Sequence, residues 1–286
     1  MKFLVLGASG MAGHVISLYL KEKGHEVIGF SRRPVDFVPC VCGDAMDSEL
    51  LKREITSGQY DVIVNAIGIL NQDADKHKDR AIYLNGYLPH QLALITANMS
   101  TRVFQMSTDC VFKGNTGPYT EQSKPDGETF YDRTKALGEL NDDKNLTLRN
   151  SIIGPDINES GIGLFNWFMK QHGSVNGYTG AIWTGVTTIE LAKAMHFAAI
   201  EGTVGLINMV PSSSINKFEL LNLFNSIIRN DSVIVNPVNP LQLDKTLLRT
   251  NNDFSFRAAP YEEQIIEMKS WIQNHKDLYP HYFLEN

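Results

Sequence analysis

The sequence predicts an α/β protein, a doubly wound parallel sheet with a smaller C-terminal α/β lobe. Three observations carry that expectation. Short apolar runs alternate with helix-period segments through residues 1–154; a glycine-rich turn, GASGMAG, joins the first run to the first helix; and the alternation loosens after Gly154. Strands separated by helices run parallel and are joined by right-handed crossovers, which is how such sheets are wound.

KFLVL (2–6) is apolar throughout, as a strand buried on both faces must be. GHVISLYLKEK (13–23) has helical periodicity and stops at Gly24. EVIGF (26–30) follows as a strand, and DSELLKREITSG (47–58) as a helix with Asp47 or Ser48 as N-cap and a terminal glycine. DVIVNAIG (61–68) is a strand, residues 76–99 a helix, and RVFQMST (102–108) a strand. The next helix carries Tyr131 and Lys135 and runs to about Asn141, before a strand LTLRNSII (146–153). Beyond it, helices are expected at 160–171, 188–202, 216–229 and 262–275, and strands at GLINMV (205–210) and SVIVNPV (232–238). No linker separates the first unit, 1–154, from the second, 155–286, so one compact body with a cleft between them is expected. Ligands of open α/β sheets bind at the carboxyl ends of the strands.

Composition narrows the classes of function. The 286 residues are 43% apolar, enough for a substantial core. A net charge of −6 without a long basic run argues against nucleic acid as partner. Cys40, Cys42 and Cys110 give neither a disulfide framework nor a zinc spacing, which points to a reducing, cytoplasmic setting and to no metal site. The first twenty residues resemble a signal peptide only superficially, because Gly7, Gly10, Gly13 and His14 break the apolar stretch. No apolar stretch is long enough for a membrane span of about 18 residues.

The turn GASGMAG (7–13) has the arrangement of a dinucleotide-binding loop. Gly7 allows a tight turn, Gly10 a close approach of backbone to pyrophosphate, and Gly13 tight helix–strand packing, with Ser9 and Met11 between them. Free amides at the start of the helix face the anion. The second strand ends in FSRRP, where Ser31, Arg32 and Arg33 offer donors and positive charge in place of an acidic residue. That suits a 2′-phosphate, hence NADPH, with NADH the poorer fit. The NAIG end of the strand at 61–68 takes Ala66 and Gly68 past the cofactor.

YDRTK (131–135) places Tyr131 and Lys135 on one helix face. A free phenol, with a pKa of about 10, is a poor acid near neutrality, and a neighbouring ammonium is expected to lower it. Tyr131 would then protonate a carbonyl oxygen as hydride reaches the carbon, Lys135 would also hold the nicotinamide ribose, and Thr108 would donate to the same oxygen.

The G-x-x-G-x-x-G spacing is the pattern of short-chain dehydrogenase/reductases, which the chain resembles. STDCVFKGNTGPYTEQSKPDGETFYDRTKALGE (107–139) looks like the signature of the dTDP-4-dehydrorhamnose reductase family, extended short-chain reductases with a Rossmann domain that act on nucleotide sugars. The resemblance implies a catalytic trio of Thr108, Tyr131 and Lys135, with Asp109 beside it. It also implies an adenine-facing role for Asp44 and a cofactor-side helix position for Asn85. Cys110 stands where the family has tyrosine, Lys113 where it has aspartate and Asp132 where it has glycine. Ketone reduction needs no thiol, so Cys110, with Val111, is read as packing beside the substrate. In the second unit, Trp183 is a candidate to stack on a base or sugar ring, and Arg249 to meet a diphosphate.

The expected activity is NADPH-dependent reduction of the C4 ketone of a nucleotide-linked 4-keto-6-deoxy sugar for polysaccharide synthesis. The base and the C2 substituent stay open, and a homodimer is compatible with the sequence. Among sibling activities, a dehydratase would carry Glu where Cys110 stands, and an epimerase would close the second strand with an acidic residue. A non-catalytic NADP-binding regulatory subunit is the rival from another class.

Overall fold

A computed structural model of the chain describes residues 1–282. The first half runs β1 (Lys2–Leu6), α1 (Met11–Glu22), β2 (Glu26–Ser31), β3 (Cys40–Cys42), α2 (Ser48–Gly58), β4 (Val62–Asn65), α3 (Asn71–Lys76) and α4 (Lys78–Ala81). A π-helical turn (Ile82–Tyr87) leads into α5 (Leu88–Ile95), followed by β5 (Arg102–Thr108), α6 (Phe130–Leu137) and β6 (Leu146–Asn150). The second half has β7 (Ile152–Ile153), α7 (Leu164–Met169), β8 (Ser174–Tyr178), β9 (Ala181–Trp183), β10 (Val186–Thr187), α8 (Thr188–Glu201) and β11 (Gly205–Asn208). It closes with β12 (Ile215–Asn216), α9 (Lys217–Ile228), β13 (Ile234–Val238), β14 (Leu243–Asp244) and α10 (Tyr261–Asn274).

Seven strands form one sheet in the order β11-β6-β5-β4-β1-β2-β3, every neighbouring pair parallel. This is the doubly wound sheet expected. Its strands alternate between two cores, as the two-residue pleat requires. Phe3, Val5, Val62 and Val64 pack on one face with α1, α8 and α10, while Leu4, Leu6 and Ile63 pack on the other with α2 and α5. That double burial is why the runs read as unbroken apolar stretches. Around the second half lie three small sheets, β12-β9-β14, β10-β7 and β13-β8.

The chain crosses between its halves. β11 lies beyond residue 154 yet joins the main sheet beside β6, with Gly205 opposite Leu146. At the far end, Trp271 Nε1 donates to the Tyr279 hydroxyl at 3.0 Å, and that hydroxyl pairs with His14 Nε2 at 2.7 Å. His14 Nδ1 pairs with the Gly10 carbonyl at 2.9 Å, so Nδ1 carries the hydrogen and Nε2 accepts from the tyrosine. The C-terminal helix is thereby tied to the glycine turn.

The long helix expected at 76–99 is realised from Lys78 to Ile95 as three abutting pieces, α4, the π turn and α5. Pro89 at the start of α5 has no N–H to give the preceding turn, and the ladder widens to π spacing just before it. α6 ends at Leu137, short of the expected Asn141, with Gly138 as its C-cap; a Cβ at Gly138 would stand 1.9 Å from the Asn85 carbonyl oxygen, so only glycine fits there. β4 stops at Asn65, and residues 66–68 turn across the end of the sheet.

Candidate active site

Gly7 adopts φ +83°, and a Cβ at Gly13 would sit 2.0 Å from the Gly7 carbonyl oxygen, so turn and helix touch as only glycine permits. Gly10 is the N-cap of α1 and supplies no side-chain acceptor, which leaves the first amides of the helix free for an anion. A cavity of about 460 Å³ opens above this turn. Gly7, Ser9 and Gly10 form its floor, Ser31, Arg32 and Asp44 one end, and Ala66 and Gly68 a wall. Met11, Gly13, Arg33 and Asn85 are not on its surface. Arg33 points away into solvent, and its carbonyl accepts from the Ser31 hydroxyl. Sequence reading missed His77 and Arg80, which also line the cavity; Arg80 stands 3.6 Å from Asp44. They lie far along the chain, on a helix whose breaks the sequence does not announce.

The catalytic candidates sit behind this cavity, not on its wall. The join is Asn85, whose side chain accepts from Ile69 N at 2.9 Å, donates to Ile69 O at 2.9 Å and reaches Thr134 Oγ1 on α6 at 3.1 Å. Ile69 lines the cavity and also packs against Tyr131. The π turn is what aims Asn85 at both. α6 itself starts on a capping box, Thr129 with Asp132, which explains the aspartate that stands next to Tyr131.

β5 delivers Thr108 at its last position, and the chain then makes a 3₁₀ turn, Asp109–Val111. Thr108 Oγ1 accepts from Cys110 N and donates to Asp109 Oδ1, both at 3.1 Å. Tyr131 is buried with Cys110 among its neighbours. Lys135, one turn on, is buried and donates to the Met106 carbonyl at 2.6 Å. Beneath it Glu139 accepts from Ser107 Oγ at 2.6 Å and forms a two-bond pair with Arg149 at 2.9 and 2.7 Å.

The electrostatics correct one expectation. Burial pushes the Tyr131 phenol above its ordinary value, Cys110 and the carboxylates of Asp109 and Asp132 push the same way, and only the Thr108 hydroxyl pulls it down. Desolvation dominates this balance, and Lys135 is itself held down to about 8 by burial, with Glu139 opposing. Tyr131 therefore keeps its proton throughout the neutral range. The Cys110 thiol is pushed up to about 12 by burial and by Asp109, so it remains a thiol.

Three further candidates are placed differently from the sequence reading. Val111 is wholly buried, and its carbonyl accepts from Asp126 N and Gly127 N, so it supports the turn from behind. Trp183 is 3% exposed, with Tyr261 near one side and the Lys217 ammonium 4.4 Å from its ring centre, leaving no face for a sugar. All three nitrogens of the Arg249 guanidinium donate to carbonyls of Asn251, Phe254 and Phe256, which closes its own loop.

The family model described as RmlD substrate binding domain matches residues 1–150. Spore coat polysaccharide biosynthesis protein SpsK of Bacillus subtilis is 31% identical over 140 residues, 48% of this chain and 47% of that protein. Methionine adenosyltransferase 2 subunit beta of Xenopus laevis is 29% identical over 139 residues, 48% of this chain and 41% of that protein. These matches span about half the length of the relatives. The crystal structure of dTDP-4-dehydrorhamnose reductase from Bacillus anthracis in complex with NADP superposes with a TM-score of 0.78 over 95% of this chain and 99% of that one, at 17% identity.

Proposed function

Because the chain belongs to the RmlD substrate-binding-domain family, we propose that it is an NADPH-dependent reductase of the C4 ketone of a nucleotide-linked 4-keto-6-deoxy sugar. The observation that carries this reading is Tyr131: a buried phenol that holds its proton, beside the Thr108 hydroxyl and one turn from Lys135. Such a phenol is a weaker acid than free tyrosine, but it is fully protonated at neutral pH and can give its proton to the far more basic alkoxide that hydride delivery creates.

The residues present fit the cofactor. The uncapped amides of α1 and the Gly7–Gly13 contact make a cradle for pyrophosphate, and Ser31 and Arg32 stand where a 2′-phosphate would lie. When bound, NADPH supplies hydride. The chain's own residues do the rest. Tyr131 donates its proton to the carbonyl oxygen, and Thr108, turning its one hydroxyl hydrogen from Asp109, donates a hydrogen bond to the same oxygen as negative charge develops there. Lys135, fixed on the Met106 carbonyl, keeps two more N–H donors for the ribose. The capped thiol at Cys110 and the carboxylate at Asp109 border the sugar side.

This reading places the activity in the cytoplasm, supplying polysaccharide precursors, and a homodimer is compatible with the exposed Leu94 and Leu137. Similarity to the methionine adenosyltransferase beta subunit favours one second reading, a dinucleotide-binding regulatory subunit. The test is NADPH oxidation with 4-keto-6-deoxy sugars on dTDP and UDP, with product configuration read by NMR. Tyr131→Phe is expected to keep NADPH affinity and lose about 10²–10⁴ in kcat. Near-normal turnover by that variant removes the mechanism, while no turnover by the wild type and one stoichiometric enzyme partner in a pull-down favour the regulatory reading.

A further inference from the structure

We propose that Lys217 and Lys245 form an anion site that grips the diphosphate bridge of the substrate, opposite the Asp109–Val111 turn. The inference rests on the reading above for the class of substrate and adds the residues that hold its charge.

A nucleotide sugar brings two ionised phosphoryl groups into the cleft, and these need cations that are not already engaged. Most of the cations near the catalytic turn are engaged. Arg149 is paired with Glu139, Lys113 with Glu128, Lys135 with the Met106 carbonyl, and Arg249 with its own loop. Lys217 and Lys245 differ. Among the described residues neither ammonium has a hydrogen-bond or ion-pair partner.

Both are built into position. Lys217 is the first residue of α9, set by the Asn216–Glu219 capping box, and its half-buried ammonium lies 4.4 Å from the centre of the Trp183 ring. The Asp109 carboxylate acts on it and favours its charged form. Burial holds it down to about 8, so an arriving anion strengthens its hold on the proton. Lys245 follows β14, where Asp244 N donates to the Gly114 carbonyl at 2.9 Å. Its stem lies on Gly114, where a Cβ would stand 2.8 Å from the lysine Cγ. Its charge acts on Cys110, from a different segment of the second half. β12 and β14 flank β9 with Asn216 and Asp244 both opposite Ile182, so the two unpaired lysines that follow them lie on either side of the Trp183 strand. In this arrangement Trp183 serves as the platform for Lys217.

The test measures binding of UDP and dTDP, and of uridine and thymidine, to the full chain by calorimetry. Lys217→Met and Lys245→Met are each expected to weaken the diphosphates at least tenfold, to change the nucleosides less than twofold, and to flatten the salt dependence. Lys217→Arg restores affinity to within threefold. Equal diphosphate affinity in the variants, equal losses for nucleoside and diphosphate, or a wild type that binds neither diphosphate overturns the proposal. Lysine-dependent diphosphate binding without any NADPH oxidation sinks the reductase reading and leaves the anion site standing. Keto-sugar reduction with unchanged KM in both lysine variants does the reverse.

Discussion

Lys135 keeps enough basicity to act as a cation because Glu139 stands one turn further along the chain. Without that carboxylate, burial alone would lower the amine further still. Glu139 also neutralises Arg149, which is 2% exposed. Glu139→Gln is therefore expected to destabilise the fold by about 3–5 kcal/mol in urea titration, since it leaves a buried guanidinium without its counter-charge. On the folded fraction it shifts the alkaline limb of kcat, set by Lys135 at about 8, to lower pH. A limb that stays in place separates Glu139 from the chemistry. At this scale the i, i+4 spacing of Tyr131 and Lys135 was legible, and the structure buries both on α6. The direction of the Tyr131 shift was not legible, because it depends on how much water the folded site excludes. Lys217 and Lys245 were invisible for a related reason: N-K-F-E signals a helix start, but nothing in it says where the lysine points.

The elements position these groups through their ends and breaks. α6 begins one residue before Tyr131, so its first turn sets the position of the proposed proton donor as well as starting the helix. Thr129→Ala removes the N-cap and half of the capping box. The expected loss is about 1 kcal/mol of stability, measured by denaturant midpoint, together with a lower kcat and unaltered NADPH affinity. If kcat holds while stability falls, the cap is structural only. Periodicity located α1, α2, α8, α9 and α10 to within a residue or two, because each buries one apolar face. It could not see the π turn at Ile82–Tyr87, which arises from Pro89 and from the pull of Ile69 and Thr134 on Asn85. The three-residue β3 and most strands of the small sheets also escaped, being too short to show a period, while SVIVNPV (232–238) did contain β13.

The whole molecule is fastened across its length by the Trp271–Tyr279–His14–Gly10 chain. His14 is fully buried and held down to about 4, chiefly by burial and also by the charge of His275, while the Gly10 carbonyl opposes. The unfolded state takes up its proton near pH 6.5, the folded state only near 4. Stability from this residue is complete above 6.5 and is lost as pH falls toward 4, about 3 kcal/mol in all. Urea titrations from pH 7 to 4.5 should show that slope, and His14→Gln should lack its share of it; identical slopes would remove His14 as the source. The doubly wound sheet was legible from alternation alone, whereas the identity of the strand that returns to it, β11, required the fold. That return has a consequence for engineering. A chimera joined after residue 154, meant to trade one sugar preference for another, would bring a foreign edge strand against β6 and a foreign helix against α1. Recombination within this family should therefore succeed only when the insert leaves β11 and α8 with their original host.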